Sequence, residues 1–379
     1  MLRYWTAGES HGKTLLTIVD GFPAGVTINL EPINVELKRR QGGYGRGGRQ
    51  RIESDQVDVR TGIWKEVTLG SPIALEVVNR DYKLDRLDDL SRPRPGHGDL
   101  TGAVKYLGSI RGVLERASAR ETAVRVAAGA LAKQLLAEFG ITAFGYVVEL
   151  GGELIEPVDG PPEELQAIRD QSEVYGLNLA RDDAIKQLID ETGKRGDTLG
   201  GIIEVRVEGL PFGLGTHAQW DRKLDGRIAQ AVMAVQAIKG VEIGLGFEAA
   251  RRPGSKVHDP IQFDPQQANG PNLGFVRPTN NAGGLEAGMT NSQPLVVRAA
   301  KKPISTLAQP LESINLETRK KEEAAYERSD VCAVPAASVI IENVVAFTVA
   351  EALVEKFGGD SLEEMKRRYE LFLEMAAKN

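Results

Sequence analysis

The sequence predicts a fold that mixes helices and strands, organised either as one large layered domain with an internal repeat or as two domains. At 379 residues the chain is long enough for either arrangement. Short apolar, β-branched runs typical of strands alternate with capped amphipathic runs typical of helices. The order of these elements before residue 150 recurs after residue 200, which indicates a duplicated αβ unit with an excursion at 151–200.

Apolar runs bounded by turn residues predict strands at 13–20, 57–61, 73–78 and 201–208. Helical patterns occupy 34–40, 118–139, 163–169, 182–191, 220–238 and 337–357, and a last helix starts at Asp360. Ser118 and Glu121 form a capping-box pattern, which Asp360 and Glu363 repeat. The glycines expected to end helices are Gly140, Gly240 and Gly358.

The composition is that of an ordinary globular protein with an acidic balance. Hydrophobic residues make up 41% of the chain, charged residues 26%, and the formal net charge is −6. This balance argues against a nucleic-acid partner, which usually leaves a broad basic footprint. No apolar run approaches the roughly 20 residues that span a bilayer, and the start, MLRYWTAGESHG, lacks the apolar core of a signal peptide. We therefore expect a cytoplasmic protein without a membrane segment.

Cysteine usage points to a reducing compartment. The single cysteine, Cys332, excludes an internal disulfide and a cysteine-based metal cluster. We expect its side chain to serve as a small buried hydrophobe.

The segment at 38–51, KRRQGGYGRGGRQR, combines six basic side chains and five glycines with no acidic residue. Arginine offers a planar fork that matches phosphate or carboxylate oxygens two at a time. Glycine lets the backbone approach a ligand closely. Because the whole chain is acidic, this local excess of positive charge predicts an anion-binding loop or lid.

Three other interpretations of this segment compete with an anion site. Gly43, Gly45 and Gly48 match the dinucleotide fingerprint, but that fingerprint needs a strand before it and a helix after it, and the sequence predicts neither. An Arg-Gly segment that binds RNA is usually repetitive, whereas this one occurs once. A solvated basic loop is the common outcome for a charge run. Five glycines within seven positions favour a ligand clamp, because unneeded flexibility costs folding entropy.

Two histidines stand next to glycines, where an imidazole can face a ligand. In GESHG, the flanking glycines leave His11 little to pack against. The His97-x-Asp99 spacing could be half of a metal site, but no further ligands follow at a recognisable interval. A proton-exchanging imidazole beside an anion pocket is therefore favoured. We interpret His217 and His258, which lie in other loops, as structural.

A second anion site is predicted at the start of the helix at 118–139. A helix N-terminus carries partial positive charge and free N–H groups, and Arg111, Arg116 and Arg120 surround this one. Further along, a glycine-rich turn at 280–284 offers amide side chains, and 301–306 offers lysines and hydroxyls.

Taken together, these motifs resemble the chorismate synthase family. The resemblance covers nearly the whole chain. Its motifs are GESHG (8–12), RRQGGYGRG (39–47), RPGH (94–97), SARETAVRVAAGA (118–130), QAIKG (236–240), NNAGG (280–284), KKPIS (301–305) and RSDVCAVP (328–335). Any one of these motifs is weak evidence, but their joint occurrence in this order is highly specific.

The resemblance implies a lyase of aromatic amino acid biosynthesis. Such an enzyme eliminates phosphate and a ring hydrogen, in an anti sense, from 5-enolpyruvylshikimate 3-phosphate to give chorismate, the last step of the shikimate pathway. The family requires reduced FMN (FMNH2) without net oxidation and uses no metal. The resemblance also implies a homotetramer. No separate flavin-reductase module is evident, which favours an external flavin reductase, although NADPH-dependent reduction within the same fold stays open.

The fold implied by the resemblance is α+β. It is a layered β-α-β sandwich in which helices lie between antiparallel sheets, built from a repeated βαββαβ unit. The whole chain, 1–379, would be one domain, with the repeat roughly at 1–150 and 200–379 and the excursion at about 151–200.

Position by position, the resemblance assigns site residues. It implies that His11 protonates the reduced flavin, that His97 is a proton source near the leaving phosphate, and that Asp330 assists deprotonation. The positions expected to bind substrate, also described as NADP positions, are Arg40, Arg46 and their neighbour Arg49. The positions expected to bind flavin are Arg116, Ala117, Ser118, Gln236, Ala237, Ala287, Lys302, Pro303, Ile304, Ser305, Thr306 and Arg328.

Four positions depart from the commonest family pattern. Ala117 stands where Ser is frequent, Gln236 where Asn is, Ala287 where Gly is, and Gly98 where Ala is. These differences leave the overall function intact but affect whether each position reaches the cofactor through its side chain. The alternative classes are a phosphoanion-binding module without catalysis and a metal phosphatase.

Overall fold

The computed structural model describes residues 1–48, 54–327 and 330–378. Its α-helices are α1 (Leu30–Gln41), α2 (Asp99–Tyr106), α3 (Ile110–Ala117), α4 (Thr122–Ala137), α5 (Pro162–Gln171), α6 (Asp182–Lys194), α7 (Leu224–Met233), α8 (Val334–Phe357) and α9 (Leu362–Ala376). Its strands are β1 (Arg3–Ala7), β2 (Thr14–Asp20), β3 (Val57–Thr61), β4 (Ile63–Trp64), β5 (Val67–Thr68), β6 (Ile73–Val78), β7 (Thr142–Leu150), β8 (Glu153–Leu154), β9 (Gly201–Glu208), β10 (Phe212–Gly215), β11 (Ile238–Ile243), β12 (Gln262–Phe263), β13 (Phe275–Val276), β14 (Leu285–Glu286), β15 (Met289–Asn291), β16 (Leu295–Lys301), β17 (Glu312–Ile314) and β18 (Lys321–Glu323).

The predicted mixture of helices and strands is confirmed. The strands predicted at 57–61, 73–78 and 201–208 coincide with β3, β6 and β9, and β2 begins one residue later than predicted. The short helices of the excursion are α5 and α6, and the long apolar helix is α8. The sequence predicts these elements because the apolar residues of each recur with a clear local periodicity.

Two larger antiparallel sheets organise the chain. The first has the strand order β1-β2-β6-β3, and the second has the order β11-β16-β9-β7-β8. In β2 the side chains alternate between buried and exposed, because one face of the first sheet packs on the core while the other does not. A three-stranded sheet, β10-β15-β14, lies elsewhere.

Helices α4 and α8 form the centre of the core. They pack on each other and on α1; α4 also contacts β2 and β6 of the first sheet, while α8 contacts β7 and β9 of the second. Gly129 of α4 permits this close approach, since a β-carbon there would lie 2.3 Å from the carbonyl oxygen of Asn343. Cys332, just before α8, is fully buried, as predicted.

Helix α8 corrects the expectation that no apolar run approaches a bilayer-spanning length. Judged by length and composition alone, this helix of 24 residues is long and apolar enough to cross a membrane. In the fold, however, 94% of its most apolar stretch is buried inside the protein. Neighbouring helices and sheets surround it, so its uniform hydrophobicity is that of a central core helix.

The predicted capping box at Ser118 and Glu121 is wrong. Ser118 does cap, but it accepts the N–H of Arg120 at 3.3 Å and opens a short 3₁₀ turn, Ala119–Glu121, ahead of α4. The Glu121 carboxylate instead accepts hydrogen bonds from Thr6 (3.2 Å) and Gln236 (2.7 Å). Partners from distant parts of the chain have displaced the local capping interaction.

The helix predicted at 220–238 is also shorter than expected. Only Leu224–Met233 is α-helical, and Ile238–Ile243 becomes strand β11, paired antiparallel with β16. Ala237 has a positive φ of 68°, which ends any helical continuation. The last helix begins two residues after the predicted start at Asp360, because Ser361 rather than Asp360 is its N-cap and accepts the N–H of Glu364.

A buried ionic cluster ties four helices together around Glu342 of α8, which has no exposed side-chain surface. Its carboxylate pairs with Arg39 of α1 at 3.2 Å, with Lys133 of α4, and with Arg169 of α5 at 3.5 Å. Burial opposes ionisation, but these three cations outweigh it and hold the pKa of Glu342 well below its ordinary value. The cluster anchors α5 of the 151–200 excursion to the core.

Candidate active site

The described part of the basic segment, up to residue 48, packs closely on the start of α8. Gly43 and Gly45 have φ values of +86° and +88°, a conformation that other residues rarely adopt. A β-carbon on Gly45 would lie 2.9 Å from Cβ of Cys332, and one on Gly43 would lie 2.5 Å from Cβ of Pro335. The carbonyl oxygen of Gly45 also accepts the N–H of Cys332 at 3.2 Å. These two glycines therefore allow the segment to pack closely against the residues at the start of α8.

Arg46 lies against Asp330 in this packed segment. Nη1 of Arg46 is 2.6 Å from Oδ2 of Asp330, and the N–H of Gly47 donates to Oδ1 at 2.6 Å. The side chains are only 11% and 17% exposed. Nε of Arg46 is buried without a hydrogen-bond partner among the described residues. The ion pair holds the segment in place and leaves one donor unused.

A second cluster places two buried arginines on one carboxylate. Oδ2 of Asp55 accepts from Nη2 of Arg40 and from Nη1 of Arg120, both at 2.7 Å. Burial opposes ionisation of Asp55, but Arg40 and Arg120 outweigh it and hold the pKa of this carboxyl below its ordinary value. Two guanidinium groups thus lie close together in a buried position, and arginine forks of this kind match the oxygens of a phosphate or carboxylate.

Arg120 of this cluster is connected to the loop that carries His11 through hydrogen bonds of Asn79. Nε of Arg120 donates to Oδ1 of Asn79 at 2.8 Å. The amide of Asn79 donates to the carbonyl oxygens of Glu9 (3.1 Å) and Gly12 (2.8 Å), on either side of the histidine. The cluster of Asp55 and the histidine loop are therefore neighbours.

His11 is held between two carboxylates, contrary to the expectation that it has little to pack against. Its backbone N–H donates to Oε2 of Glu115 at 2.7 Å, and its ring Nδ1 is 2.9 Å from Oε1. On the other side, Nε2 is 3.7 Å from Oδ2 of Asp81. The imidazole is 14% exposed, and Glu115 is buried. The flanking glycines of the motif did not reveal either partner.

His97 lies in a hydrogen-bonded group with Asp99 and Arg94. Nδ1 of His97 is 2.5 Å from Oδ1 of Asp99, and Nε of Arg94 donates to Oδ2 at 2.8 Å. Burial opposes ionisation of Asp99, but its bonds to His97 and Arg94 outweigh it and hold the pKa of this carboxyl well below its ordinary value. Nη1 of Arg94 donates to the hydroxyl of Thr306 at 2.9 Å. The His-x-Asp spacing is thus explained by a direct hydrogen bond.

The loop of His97 meets two predicted flavin-binding segments. The ammonium group of Lys302 donates to the carbonyl oxygen of Gly96. A β-carbon on Gly98 would lie 3.9 Å from Cβ of Ala117. The sequence-predicted triplet at 116–118 also touches the other histidine loop, since the hydroxyl of Ser118 bonds that of Ser10 at 3.1 Å. The two histidine loops therefore flank the C-terminal end of α3.

The remaining flavin positions divide into two groups. The amide of Gln236 donates to Oε1 of Glu121 at 2.7 Å, and the carbonyl oxygen of Ala237 accepts the N–H of Lys302 at 2.9 Å, so these positions are adjacent. Ala287 lies in the turn between β14 and β15, where Gly288 accepts the N–H of Leu224. In the described part of the chain, that hairpin therefore contacts the start of α7. The predicted flavin position Arg328 and the predicted substrate position Arg49 lie outside the described residues.

The arginines expected around a free helix N-terminus are engaged by protein groups. Nη2 of Arg111 pairs with Glu327 at 3.0 Å, and Arg116 donates to the carbonyl oxygens of Thr6 and Gly8, each at 2.9 Å. Arg120 belongs to the cluster of Asp55. The arginine side chains predicted to surround the helix start are thus paired with protein groups in this structure. Among the described residues, no group of three or more His, Cys, Asp or Glu side chains could hold a metal ion.

Sequence reasoning missed the acidic and amide partners of the site. These are Asp55, Asn79, Asp81 and Glu115. None lies in a glycine-rich or basic motif, and each pairs with a residue far away in the chain. Only the spacing of Arg111 and Glu115, four residues apart on one helix, gave a local signal.

The comparisons with known proteins agree with one another. The family model described as "Chorismate synthase" matches residues 2–354. The chain is 54% identical over 389 residues to a chorismate synthase of Geobacter metallireducens, covering 99% of each protein. It is 50% identical over 376 residues to that of Thermoanaerobacter pseudethanolicus, covering 98% of each. A solved structure titled "Crystal Structure of Chorismate Synthase" matches with a TM-score of 0.81 and 42% identity, covering 100% of this chain and 99% of that one.

Proposed function

Because the chain belongs to the chorismate synthase family, a family of lyases, we propose that it converts 5-enolpyruvylshikimate 3-phosphate to chorismate with reduced FMN. The reaction is an anti-1,4-elimination of phosphate and a ring hydrogen. The observation that carries the proposal is the cluster in which Arg40 and Arg120 share Asp55. Its two buried guanidinium groups lie beside the loop of His11 and suit a substrate with one phosphate and two carboxylates.

The residues around Gln236 fit a flavin. Its side-chain oxygen is buried without a hydrogen-bond partner among the described residues, while its nitrogen is committed to Glu121. That oxygen would accept an N–H of the ring, and Lys302 would offer a cation to the cofactor phosphate. When bound, reduced FMN supplies electron density to the substrate during the elimination. The predicted segment 302–306 and the triplet 116–118 would complete this site.

Substrate binding would fall to Arg40 and Arg46, with Arg49 as their neighbour. In the ion pair of Arg46 with Asp330, a substrate carboxylate or phosphate would compete with Asp330 for the guanidinium. Asp330 would then be released for the proton-transfer role that we propose for it. The same arginines are the proposed NADP positions.

The two histidines would handle protons at separate points of the reaction. His97, ordered by Asp99 and Arg94, would hold a proton for the departing phosphate. His11, ordered by Glu115, would hold a proton at the other end of the site. Imidazole suits both tasks because it gains and loses a proton near neutral pH.

We further propose the finer features that the family implies. The chain would be one domain over 1–379, a layered β-α-β sandwich with a repeated βαββαβ unit, and the packing of α4 and α8 between the two larger sheets supports the layering. It would act as a cytoplasmic homotetramer supplied by an external flavin reductase. No nucleic-acid or membrane partner is part of the proposal.

The first test is an anaerobic assay of phosphate release. We expect release from 5-enolpyruvylshikimate 3-phosphate only when dithionite-reduced FMN is present, and no effect of chelators. Release with oxidised FMN under the same anaerobic conditions, or loss of activity with EDTA, would contradict the proposal and favour a metal phosphatase. Binding of RNA that disappears with added salt, without phosphate release, would instead favour a phosphoanion-binding module.

Arg46→Ala is expected to weaken substrate binding more than flavin binding. The expected loss of substrate affinity is about 10- to 100-fold, because hydrogen bonds to charged groups contribute about 1.5–3 kcal/mol. Titrations of each ligand, followed by flavin fluorescence and by calorimetry, measure the two affinities separately. Arg3→Ala is the matched control, since the Arg3 side chain is 55% exposed and forms a surface ion pair with Asp20. An equal loss of both affinities in Arg46→Ala would exclude the substrate role.

A further inference from the structure

The two histidines of the candidate site share one arrangement. In each, ring Nδ1 lies against a buried carboxylate: His11 on Glu115 at 2.9 Å and His97 on Asp99 at 2.5 Å. The carboxylate side chains are 1% and 0% exposed, whereas the imidazoles are 14% and 20% exposed. The acceptor is therefore inside the protein, and the ring lies nearer the surface of the site.

Glu115 is held in a state that can only accept hydrogen bonds. Burial opposes its ionisation, but the bonds from the ring and backbone of His11 and the charge of Arg111 outweigh this effect. They hold the pKa of Glu115 below its ordinary value. An ionised carboxylate has no proton to donate, so the group facing it must be a donor. Nδ1 of His11 therefore carries a hydrogen in the neutral ring, and Nε2 does not.

The same carboxylate also fixes where the ring stands. Oε2 of Glu115 accepts the backbone N–H of His11 at 2.7 Å. The backbone carbonyl oxygen of Glu115 accepts the N–H of Ser10 at 2.9 Å. The loop and the ring are thus bound to one residue of α3, the residue immediately before the triplet at 116–118. Nε2 faces away from Glu115, with Oδ2 of Asp81 3.7 Å from it.

We propose that Glu115 is a positioning residue for His11, which holds the Nδ1–H tautomer and leaves Nε2 as the atom that exchanges a proton during turnover. The tautomer is a property of the resting protein and can be observed without turnover, while its effect on rate rests on the proposed function. Asp99 repeats the arrangement at His97, on a different loop. A carboxylate on one ring nitrogen is a general way of orienting a catalytic imidazole.

The test reads the tautomer directly. The chain has four histidines, so solid-state ¹⁵N NMR of protein labelled only at histidine gives few resonances, and His11→Ala assigns those of His11. In alkaline buffer, where imidazole is neutral, we expect the wild-type His11 ring to be protonated at Nδ1. Protonation at Nε2 in the wild type would overturn the proposal, whatever the enzyme catalyses.

Glu115→Gln supplies the matching variant. The amide oxygen of the glutamine can still accept the hydrogen bond from the backbone N–H of His11, and the amide NH₂ then faces Nδ1. Because NH₂ is a donor, Nδ1 must accept, which favours the tautomer with hydrogen on Nε2. We expect the tautomer to invert and kcat to fall about 100-fold or more, with KM for the substrate changed less than about threefold. Glu163→Gln, on the exposed start of α5, is the control and is expected to change neither the tautomer of His11 nor kcat. A variant that keeps the Nδ1–H tautomer, or inverts it with unchanged kcat, would overturn the positioning role. If Glu115→Gln fails to fold, the wild-type spectrum still decides the tautomer.

Discussion

His11→Ala and His97→Ala are each expected to slow turnover at least about 100-fold while the protein still binds flavin. Loss of a positioned general acid or base typically costs 10²–10⁴-fold. Each imidazole is ordered by a buried carboxylate, so alanine removes a proton carrier whose geometry the fold has already set. Single-turnover phosphate release under anaerobic conditions measures the chemical step, and flavin titration measures binding.

The chain offers its own controls for these two variants. His217 and His258 are exposed and lie outside the candidate site, so His217→Ala and His258→Ala should turn over normally. Near-normal activity of His11→Ala or His97→Ala would refute the role assigned to that histidine. Loss of flavin binding together with activity would show that the histidine supports the cofactor site instead.

Glu342→Ala is expected to give the largest loss of stability, about 3–5 kcal/mol. Removing one partner of a buried ion pair leaves the other charges uncompensated in a medium that solvates them poorly. Here Arg39, Lys133 and Arg169 would all lose the carboxylate that they share, and Glu36 and Asp170 would be left to compensate three cations. The midpoint of urea unfolding measures the change, provided that the slope of the transition is unchanged.

A surface ion pair is the matched control for Glu342. Glu153→Ala breaks the pair of Glu153 with Arg181, whose side chains are 57% and 34% exposed, and should cost less than about 1 kcal/mol. Equal destabilisation by the two variants would contradict a stabilising role for the buried cluster.

The pH dependence of stability provides a second readout for Glu342. Its pKa is depressed in the folded protein, so its contribution is present above the pKa of the unfolded chain and is lost as the pH falls toward the folded value. Wild-type stability should therefore decline in acid below about pH 4.5. In Glu342→Gln this part of the decline should be absent, because the amide does not titrate.

Local patterns predicted elements well where the element depends mainly on its own residues. Strand β9 and the long helix α8 were recognised because apolar, often β-branched side chains recur at short spacing along each element. The prediction was wrong at 220–238, where strand pairing with β16 outweighs helical propensity after Met233. It was also wrong at Ser118, where Glu121 bonds to Gln236 rather than to the helix start.

The sequence by itself determined the family and the mixed fold, and it singled out the basic and imidazole side chains that we propose to bind substrate and cofactor. Those features depend on residue type and on short spacing, which a linear pattern records. Only the tertiary structure decided the partners: Glu115 for His11 across 104 positions, and Asp55 for Arg120 across 65. Pairing of buried charges depends on which elements the core brings together, and the low polarity of that core makes each pairing strong. No local spacing encodes that choice.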